Sequence, residues 1–568
     1  MGTRTATRAR TDAPDDLSAR AVDGILGPNP FIGLRGRDIT ATVVRVARQA
    51  IERPTLALEQ EAALVRELIS VLAGKSRIAL PAGDKRFQDV AWKANPFYRM
   101  VLQGYLAWRQ ALNSFVDRSA FDYTTKQRAR FVVSLLTDAL APTNSLLGNP
   151  AAVKKTLESG GGNIVKGIGN MLSDLRRNGG MPTQVDTSAF KLGKNLALSP
   201  GAVVFRNSAL ELIQYAPATP EVFARPHLIV PPQVNKFYLF DLAPGRSLVE
   251  YLVKSGFQVF AVSWRNPTAA HRDWDMDTYV AALLEALSAV RDITGSEDVN
   301  LHGACSGAMT ITALLGYLAT KQERVVNAAT MLVSVLGSKV ETQLGLFATP
   351  EAIAAAKRAS KAKGVLEGQQ MGRVFAWMRP NDLIWNYWVN NYLMGNPPPA
   401  FDILYWNSDT TRLPATFHAQ LIDIFAKNVL VEPAAMSVLG APVDISKIDC
   451  DKFVVAGMTD HITPWKAVFH SARNYGGTTE FVLSSSGHVQ SVVNPPGNPK
   501  AKFFTNHALP ANPERWLAKA KPTNDSWWPY WREWLAARSG PRCSSPKVLG
   551  NKRFKPGKKA PGNYVLEP

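Results

Sequence analysis

The decapeptide Val299-Asn300-Leu301-His302-Gly303-Ala304-Cys305-Ser306-Gly307-Ala308 constrains the fold more than any other stretch of the chain. It predicts a strand, a sharp turn and then a helix from Ala308 to Leu318, rich in Ala, Leu, Met and Thr. The turn has the form Gly-x-nucleophile-x-Gly, with cysteine at the nucleophile position. A strand-to-helix turn this tight leaves no room for a β-carbon at the flanking positions, which accounts for Gly303 and Gly307. The nucleophile is then held in strained backbone at the C-terminal edge of a sheet. The start of the helix behind it favours negative charge on the sulfur and on a developing oxyanion. The opposing reading is a chance glycine turn around a buried cysteine.

Such an elbow needs a mostly parallel sheet, and the second part of the chain supplies one. Short apolar runs stand at Val203 to Arg206, Leu210 to Tyr215, His227 to Val230, Gln258 to Trp264, Val299 to Leu301, Asn327 to Val335, Phe453 to Ala456 and Thr479 to Leu483. Helical segments such as Met276 to Thr294 separate several of them. That alternation predicts an α/β fold with helices on both faces of the sheet. Before about Lys194 the pattern is helical instead. Asp38 to Leu72 reads as helix, followed by Tyr98 to Ser114 and Lys126 to Leu140. The stripe Tyr98, Leu102, Tyr105, Leu106 and Trp108 reads as core or interface. The expected organisation is a disordered tail over 1–28, a helical N-terminal domain over 29–194 and an α/β catalytic domain over 195–568. Within the last lie an insertion at about 336–445 and a basic tail at 541–568. The insertion has a helical half, Thr349 to Met371, and a Trp-rich half, Phe375 to Trp388. An excursion of this size between core strands reads as a cap that excludes water, or else as a structural subdomain.

A chain of 568 residues with 46% apolar content can build two cores. Three cysteines, Cys305, Cys450 and Cys543, make no disulfide framework and match no zinc spacing. That fits a reducing cytosol, where a thiol remains free to act, and no metal is expected. No signal peptide is visible, and no run approaches the ~18 apolar residues that span a bilayer. The net charge is +19, partly from Lys552, Arg553, Lys555, Lys558 and Lys559. No nucleic-acid-binding signature accompanies it. A solvated tail, or a positive field that attracts an anionic substrate or surface, remains.

A cysteine nucleophile needs a base and an orienting acid, which in α/β-hydrolases follow it in the order acid, base. Phe453 to Asp460 reads as a strand and a loop ending in aspartate. Phe481 to His488 reads as the next strand and a loop presenting histidine. His488 is therefore the expected base and Asp460 the acid that holds its imidazole. His461 is the rival base, and Asp402 and Asp409 are weaker acids. His302, just before the elbow, reads as a packed core histidine. The oxyanion hole is expected from backbone N–H groups of Ser306 and of the loop Pro231-Pro232-Gln233-Val234-Asn235-Lys236, with Val234 preferred. A cysteine acyl-enzyme is a thioester, close in group-transfer potential to a coenzyme A thioester. That favours acyl transfer over hydrolysis wherever water is kept out.

These residues resemble a known family. Gly303-Ala304-Cys305-Ser306-Gly307 is similar to the lipase-like box of polyhydroxyalkanoate synthases. The likeness extends through Pro231 to Tyr238, Ser263-Trp264-Arg265-Asn266-Pro267, Asn381 to Trp388, Phe401 to Asn407, Asp460-His461-Ile462-Thr463-Pro464-Trp465 and Ser485-Ser486-Gly487-His488. Ala304 and Ser306 resemble the class II, medium-chain type of pseudomonads. Ala308 departs from the family, which usually has a second glycine there. The resemblance implies an enzyme that polymerises (R)-3-hydroxyacyl-coenzyme A with release of coenzyme A and uses no cofactor. It implies Cys305, Asp460 and His488 as the catalytic residues. It also implies a homodimer on cytoplasmic polyester granules. The N-terminal helices and the tryptophans are expected to serve granule contact, and no nucleic-acid partner is expected. A cysteine-dependent thioesterase or depolymerase and a non-enzymatic granule-coat protein are the alternatives.

Overall fold

The computed structural model describes residue 32 and residues 36–81, 84–337, 347–378, 380–460 and 462–568. The expected disordered tail over 1–28 and His461 lie outside them. The chain forms two units, one from Leu34–Asp186 with Ala376–Pro399 and the other from Thr187–Phe375 with Ala400–Pro568. Among the described residues no helix is long and apolar enough to cross a membrane.

The first unit is helical: α1 (Gly36–Glu52), α2 (Pro54–Leu72), α3 (Pro96–Arg118), α4 (Tyr123–Ala139), α5 (Pro150–Glu158) and α6 (Gly162–Arg177). The expected single run over Asp38 to Leu72 breaks at Arg53, with φ −126° and ψ 66°. Pro54 causes the break, since it has no N–H and pushes the residue before it out of helical backbone. Asn95 starts α3 by accepting from the N–H groups of Phe97 and Tyr98, and Asp122 caps α4 through Thr125. Phe87, Trp92, Tyr105 and Leu106 form a small core, with Tyr98, Leu102 and Trp108 against it. The Trp-rich half of the long insertion belongs to this unit. Its π-helical turns, Asn381–Trp385 and Trp388–Leu393, pack respectively on α4 and on α6 with the Pro142–Asn144 turn. Tyr392 donates to Asp174 at 2.7 Å, and Asn163 to the Leu393 carbonyl at 2.7 Å. Arg86 joins Asp84, Asp138 and Asn381.

The second unit carries a ten-stranded sheet. Its strands are β1 (Gly201–Arg206), β2 (Leu210–Tyr215), β3 (His227–Val230), β4 (Val259–Trp264), β5 (Val299–Ala304), β6 (Val326–Leu332), β7 (Asp451–Gly457), β8 (Thr479–Ser484), β9 (Phe503–Thr505) and β10 (Lys521–Thr523). The order is β1-β2-β4-β3-β5-β6-β7-β8-β9-β10. β4, β3, β5, β6, β7 and β8 run parallel, and antiparallel pairs close both ends. The sequence reading ended the sheet at β8. β9 and β10 have three residues each, one with a proline, and show no alternation that periodicity detects. Helices α7 (Met276–Thr294), α8 (Ser306–Lys321), α9 (Pro350–Lys363), α10 (Ala415–Lys427) and α11 (Trp527–Ala536) lie in this unit. Ala352 of α9 and Phe417, Leu421 and Ile422 of α10 belong to the same hydrophobic core as β3 and β5. The basic tail is laid down on β1 rather than free. Val203 donates to the Lys558 carbonyl at 2.8 Å and Gly557 to that of Val203 at 2.8 Å, while Lys552, Lys555, Lys558 and Lys559 stay exposed.

Candidate active site

Every position of β5 is buried, so the strand can end only by delivering its next residue to the sheet's edge. That residue is Cys305, at φ 49° and ψ −124°, and α8 begins directly after it. Surrounding contacts hold this unfavourable backbone in place. The Cys305 N–H donates to the Leu332 carbonyl at 2.9 Å, and its own carbonyl accepts from the Ser334 hydroxyl at 3.1 Å. A β-carbon on Gly307 would meet the carbonyl oxygens of Val230 and Pro231 at 2.5 and 2.6 Å. One on Gly303 would meet Ile311 Cδ1 at 2.6 Å and the Ala308 nitrogen at 3.0 Å. The two glycines let the elbow touch both its own helix and the loop after β3.

That loop is fastened on three sides. Gln233 donates its N–H to Ser306 Oγ at 3.1 Å and its side-chain amide to Thr310 at 3.0 Å. The Gln233 carbonyl accepts from Thr411 at 2.8 Å, and Trp406 Nε1 donates to the Lys236 carbonyl at 2.7 Å. The buried Lys236 ammonium donates to the carbonyls of Val565 and Glu567, both at 2.7 Å, and lies 3.3 Å from Asp409. Val234 sits between these anchors, partly buried against the core. Ser306 occupies the first helical position, where an N–H has no intrahelical acceptor.

His488 opens the short helix His488–Val492, four residues after β8. Its Nδ1 lies 2.7 Å from Asp460 Oδ2, which leaves Nε2 unengaged by the carboxylate, and the Cys305 thiol is near enough to bear on the ring's titration. Asp460 Oδ1 accepts the N–H groups of Ile462 and Thr463 at 2.9 and 3.0 Å, and Oδ2 accepts the Thr463 hydroxyl at 2.6 Å. Thr463 is a site residue to which the sequence reading gave no role. Its signal is a turn in which an aspartate caps the backbone three residues on. Burial pushes His488 down, but the Asp460 charge and hydrogen bond and the nearby thiol outweigh it and carry it up to about 10. Burial likewise raises Asp460, and the charge and hydrogen bonds from His488 and Thr463 reverse this and hold it below the usual carboxylate value.

The other candidates stand elsewhere. Asp409 binds Lys236 and the Tyr238 hydroxyl, and Asp402 binds Arg246. His302 and His227 are fully buried, and their rings pack edge-on against each other and Trp531. Burial drives His227 down to about 3, and His302 well below its ordinary value, so both stay neutral inside the sheet's packing. What remains at the edge is a thiol, an imidazole near it, a carboxylate fixing that imidazole, and the Ser306 N–H at the start of the helix. Such an arrangement can transfer an acyl group through sulfur.

The chain is also similar to known proteins over most of its length. Residues 83–252 match the family model described as the N-terminus of poly-beta-hydroxybutyrate polymerase (PhaC), and residues 235–495 match the alpha/beta hydrolase fold. Poly(3-hydroxyalkanoate) polymerase 1 of Ectopseudomonas oleovorans is 51% identical, over 97% of this chain and 99% of its own. Polymerase 2 of the same organism is 52% identical over 95% of this chain and 96% of its own. The polymerase subunit PhaC of Cupriavidus necator is 39% identical over 87% and 84%.

Proposed function

The chain belongs to the poly(3-hydroxyalkanoate) polymerase family, and from that premise we propose that it builds polyester from (R)-3-hydroxyacyl-coenzyme A by passing each acyl group through Cys305. His488 receives the thiol proton, and the sulfur attacks the thioester carbonyl. The oxyanion is met by the N–H groups of Ser306 and Val234. As the carbon–sulfur bond to coenzyme A breaks, His488 returns the proton to the leaving thiolate, and an acyl-cysteine thioester remains. The 3-hydroxyl of a second acyl group then loses its proton to His488 and attacks that thioester. An ester bond forms, the bond to Cys305 breaks, and the proton returns to the sulfur. Asp460 keeps the imidazole oriented and supports its positive charge throughout. No cofactor enters these steps.

The observation that carries this reading is Cys305 at a positive-φ elbow, in a sheet whose later strand edges bring together a buried aspartate and a histidine 2.7 Å apart. The enzyme further acts as a homodimer at the surface of cytoplasmic polyester granules. In support, α6 exposes Val165, Ile168, Leu172 and Leu175 on one face. The exposed lysines of the tail would draw in coenzyme A phosphates, an attraction that weakens as salt rises. Incubating the purified chain with 3-hydroxyacyl-coenzyme A tests the central claim. Polymer accompanied by stoichiometric coenzyme A supports it, whereas free hydroxy acid as the product would make the chain a hydrolase.

A further inference from the structure

Gln233 and Ser306 are joined by bonds that close a ring. The Gln233 N–H donates to Ser306 Oγ at 3.1 Å, and the Gln233 side-chain Nε2 donates to Thr310 Oγ1 at 3.0 Å. Thr310 in turn donates its hydroxyl to the Ser306 carbonyl at 3.0 Å. Ser306 and Thr310 are fully buried, and Gln233 is 4% exposed. The chemistry of the groups fixes the direction of each bond. A threonine hydroxyl carries one proton, and here the Ser306 carbonyl takes it. Thr310 can then only accept from Gln233, and of the amide's two ends only the nitrogen donates.

The ring ties together the two segments that carry the expected oxyanion donors, Ser306 itself and Val234, the residue after Gln233. A further bond aims the second donor. Thr411 donates to the Gln233 carbonyl at 2.8 Å. That carbonyl and the Val234 N–H belong to one planar trans peptide unit. They point in opposite directions, so a grip on the oxygen sets the direction of the N–H. Stability alone does not account for the amide. Gln233 Oε1 is buried, and no group among the described residues donates to it. An apolar side chain of similar length would strand no acceptor there.

We propose that Gln233, Thr310 and Thr411 are positioning residues of the oxyanion hole, holding the Val234 and Ser306 N–H groups in one frame. This rests on the acyl-transfer reading above and names what keeps its transition state in register. The test is the rate of coenzyme A release from 3-hydroxyacyl-coenzyme A by the full chain. Gln233→Met and Thr310→Val should each lower kcat ~10–100-fold with KM almost unchanged, because a misplaced donor weakens the transition state and leaves the bound substrate as it was. Gln233→Met should melt close to the parent, since it removes a stranded acceptor along with the bond. Thr310→Ser keeps the hydroxyl and should restore most of the rate. Thr312 supplies the control. It is equally buried on α8, donates to the Ala308 carbonyl at 2.8 Å and bonds Tyr475, outside the ring. Thr312→Val should melt earlier and keep the parent's kcat. Alkylation of Cys305 by iodoacetamide, read by mass spectrometry at that residue, forms no oxyanion and should keep its rate in Gln233→Met. An unchanged kcat in Gln233→Met and Thr310→Val would overturn the inference. So would an equal fall in Thr312→Val, a slowed alkylation, or no rescue by Thr310→Ser. A parent that releases coenzyme A with hydroxy acid in place of polymer would overturn the polymerase reading alone, because hydrolysis passes through the same oxyanion.

Discussion

His488 Nδ1 stands 2.7 Å from Asp460 Oδ2, and the Thr463 hydroxyl binds the same carboxylate oxygen. His488, with an ordinary value of 6.5, is carried up to about 10 against its own burial. Its proton therefore stabilises the folded chain fully below about pH 6.5, and that contribution is lost as pH climbs through about 10. Asp460 works in the other direction. Its lowered value contributes stability above the usual carboxylate range, lost as pH falls through the folded value. Asp460→Asn leaves burial to dominate at His488. Coenzyme A release should fall ~10²–10⁴-fold, and the acid limb of the rate profile, set by protonation of the base, should move to lower pH. An unmoved limb would remove Asp460 from this role.

Cys305→Ala should abolish coenzyme A release while leaving the melting temperature close to the parent's, since the thiol's role is chemical. Cys305→Ser should retain little. An oxygen ester at that position lacks the thioester's transfer potential, and the hydroxyl is a weaker nucleophile. Full turnover by the alanine variant would discard the cysteine as nucleophile. Trapping the acyl group on a quenched parent enzyme, and its absence from the alanine variant, is the direct measurement.

The elbow, Asp460 and His488 were readable because each stands where an apolar strand gives way to a polar or glycine turn, and their chain order is that of an α/β-hydrolase. Partnership between distant segments was not readable in the same way. Asn381 to Leu393 carries a helical period that says nothing of which surface it meets, and only Asp174, Asn163 and Arg86 in three dimensions assign it to the helical unit. Lys236 reads as one more surface lysine until the chain's last residues supply carbonyls for its buried ammonium. Thr463 is silent for a related reason, since its hydroxyl matters only once Asp460 has turned to meet it.

Gly307→Ala should be the most damaging change at the elbow. Its β-carbon would meet two backbone carbonyl oxygens at 2.5 and 2.6 Å, and relief requires moving the loop that carries Gln233 and Val234. A loss of about 3 kcal/mol and of nearly all activity is expected. Gly303→Ala meets the tip of Ile311 first, which can rotate away, so the cost should be smaller. Ala308→Gly restores the glycine usual in the family and should cost about 1 kcal/mol of helix stability with activity retained. Melting temperatures and coenzyme A release ranked in another order would refute this account of the turn.

Lys236→Met tests whether the chain's last residues hold the loop beside the sulfur. The substitution keeps the unbranched stem of the side chain, one atom shorter, but removes the donors to Val565 and Glu567 and the cation 3.3 Å from Asp409. Stranding those carbonyls and the carboxylate should cost about 2–3 kcal/mol. Val234 is two residues away and is the expected donor to the oxyanion, so a loosened loop weakens an interaction made in the transition state and not in the bound substrate. The rate constant should therefore fall ~10-fold or more while KM changes little. Removing residues 564–568 should produce the same split by a separate route. If both variants melt earlier yet keep the parent's rate constant, the anchor serves stability alone and the loop is held by Ser306 and Thr411 without it.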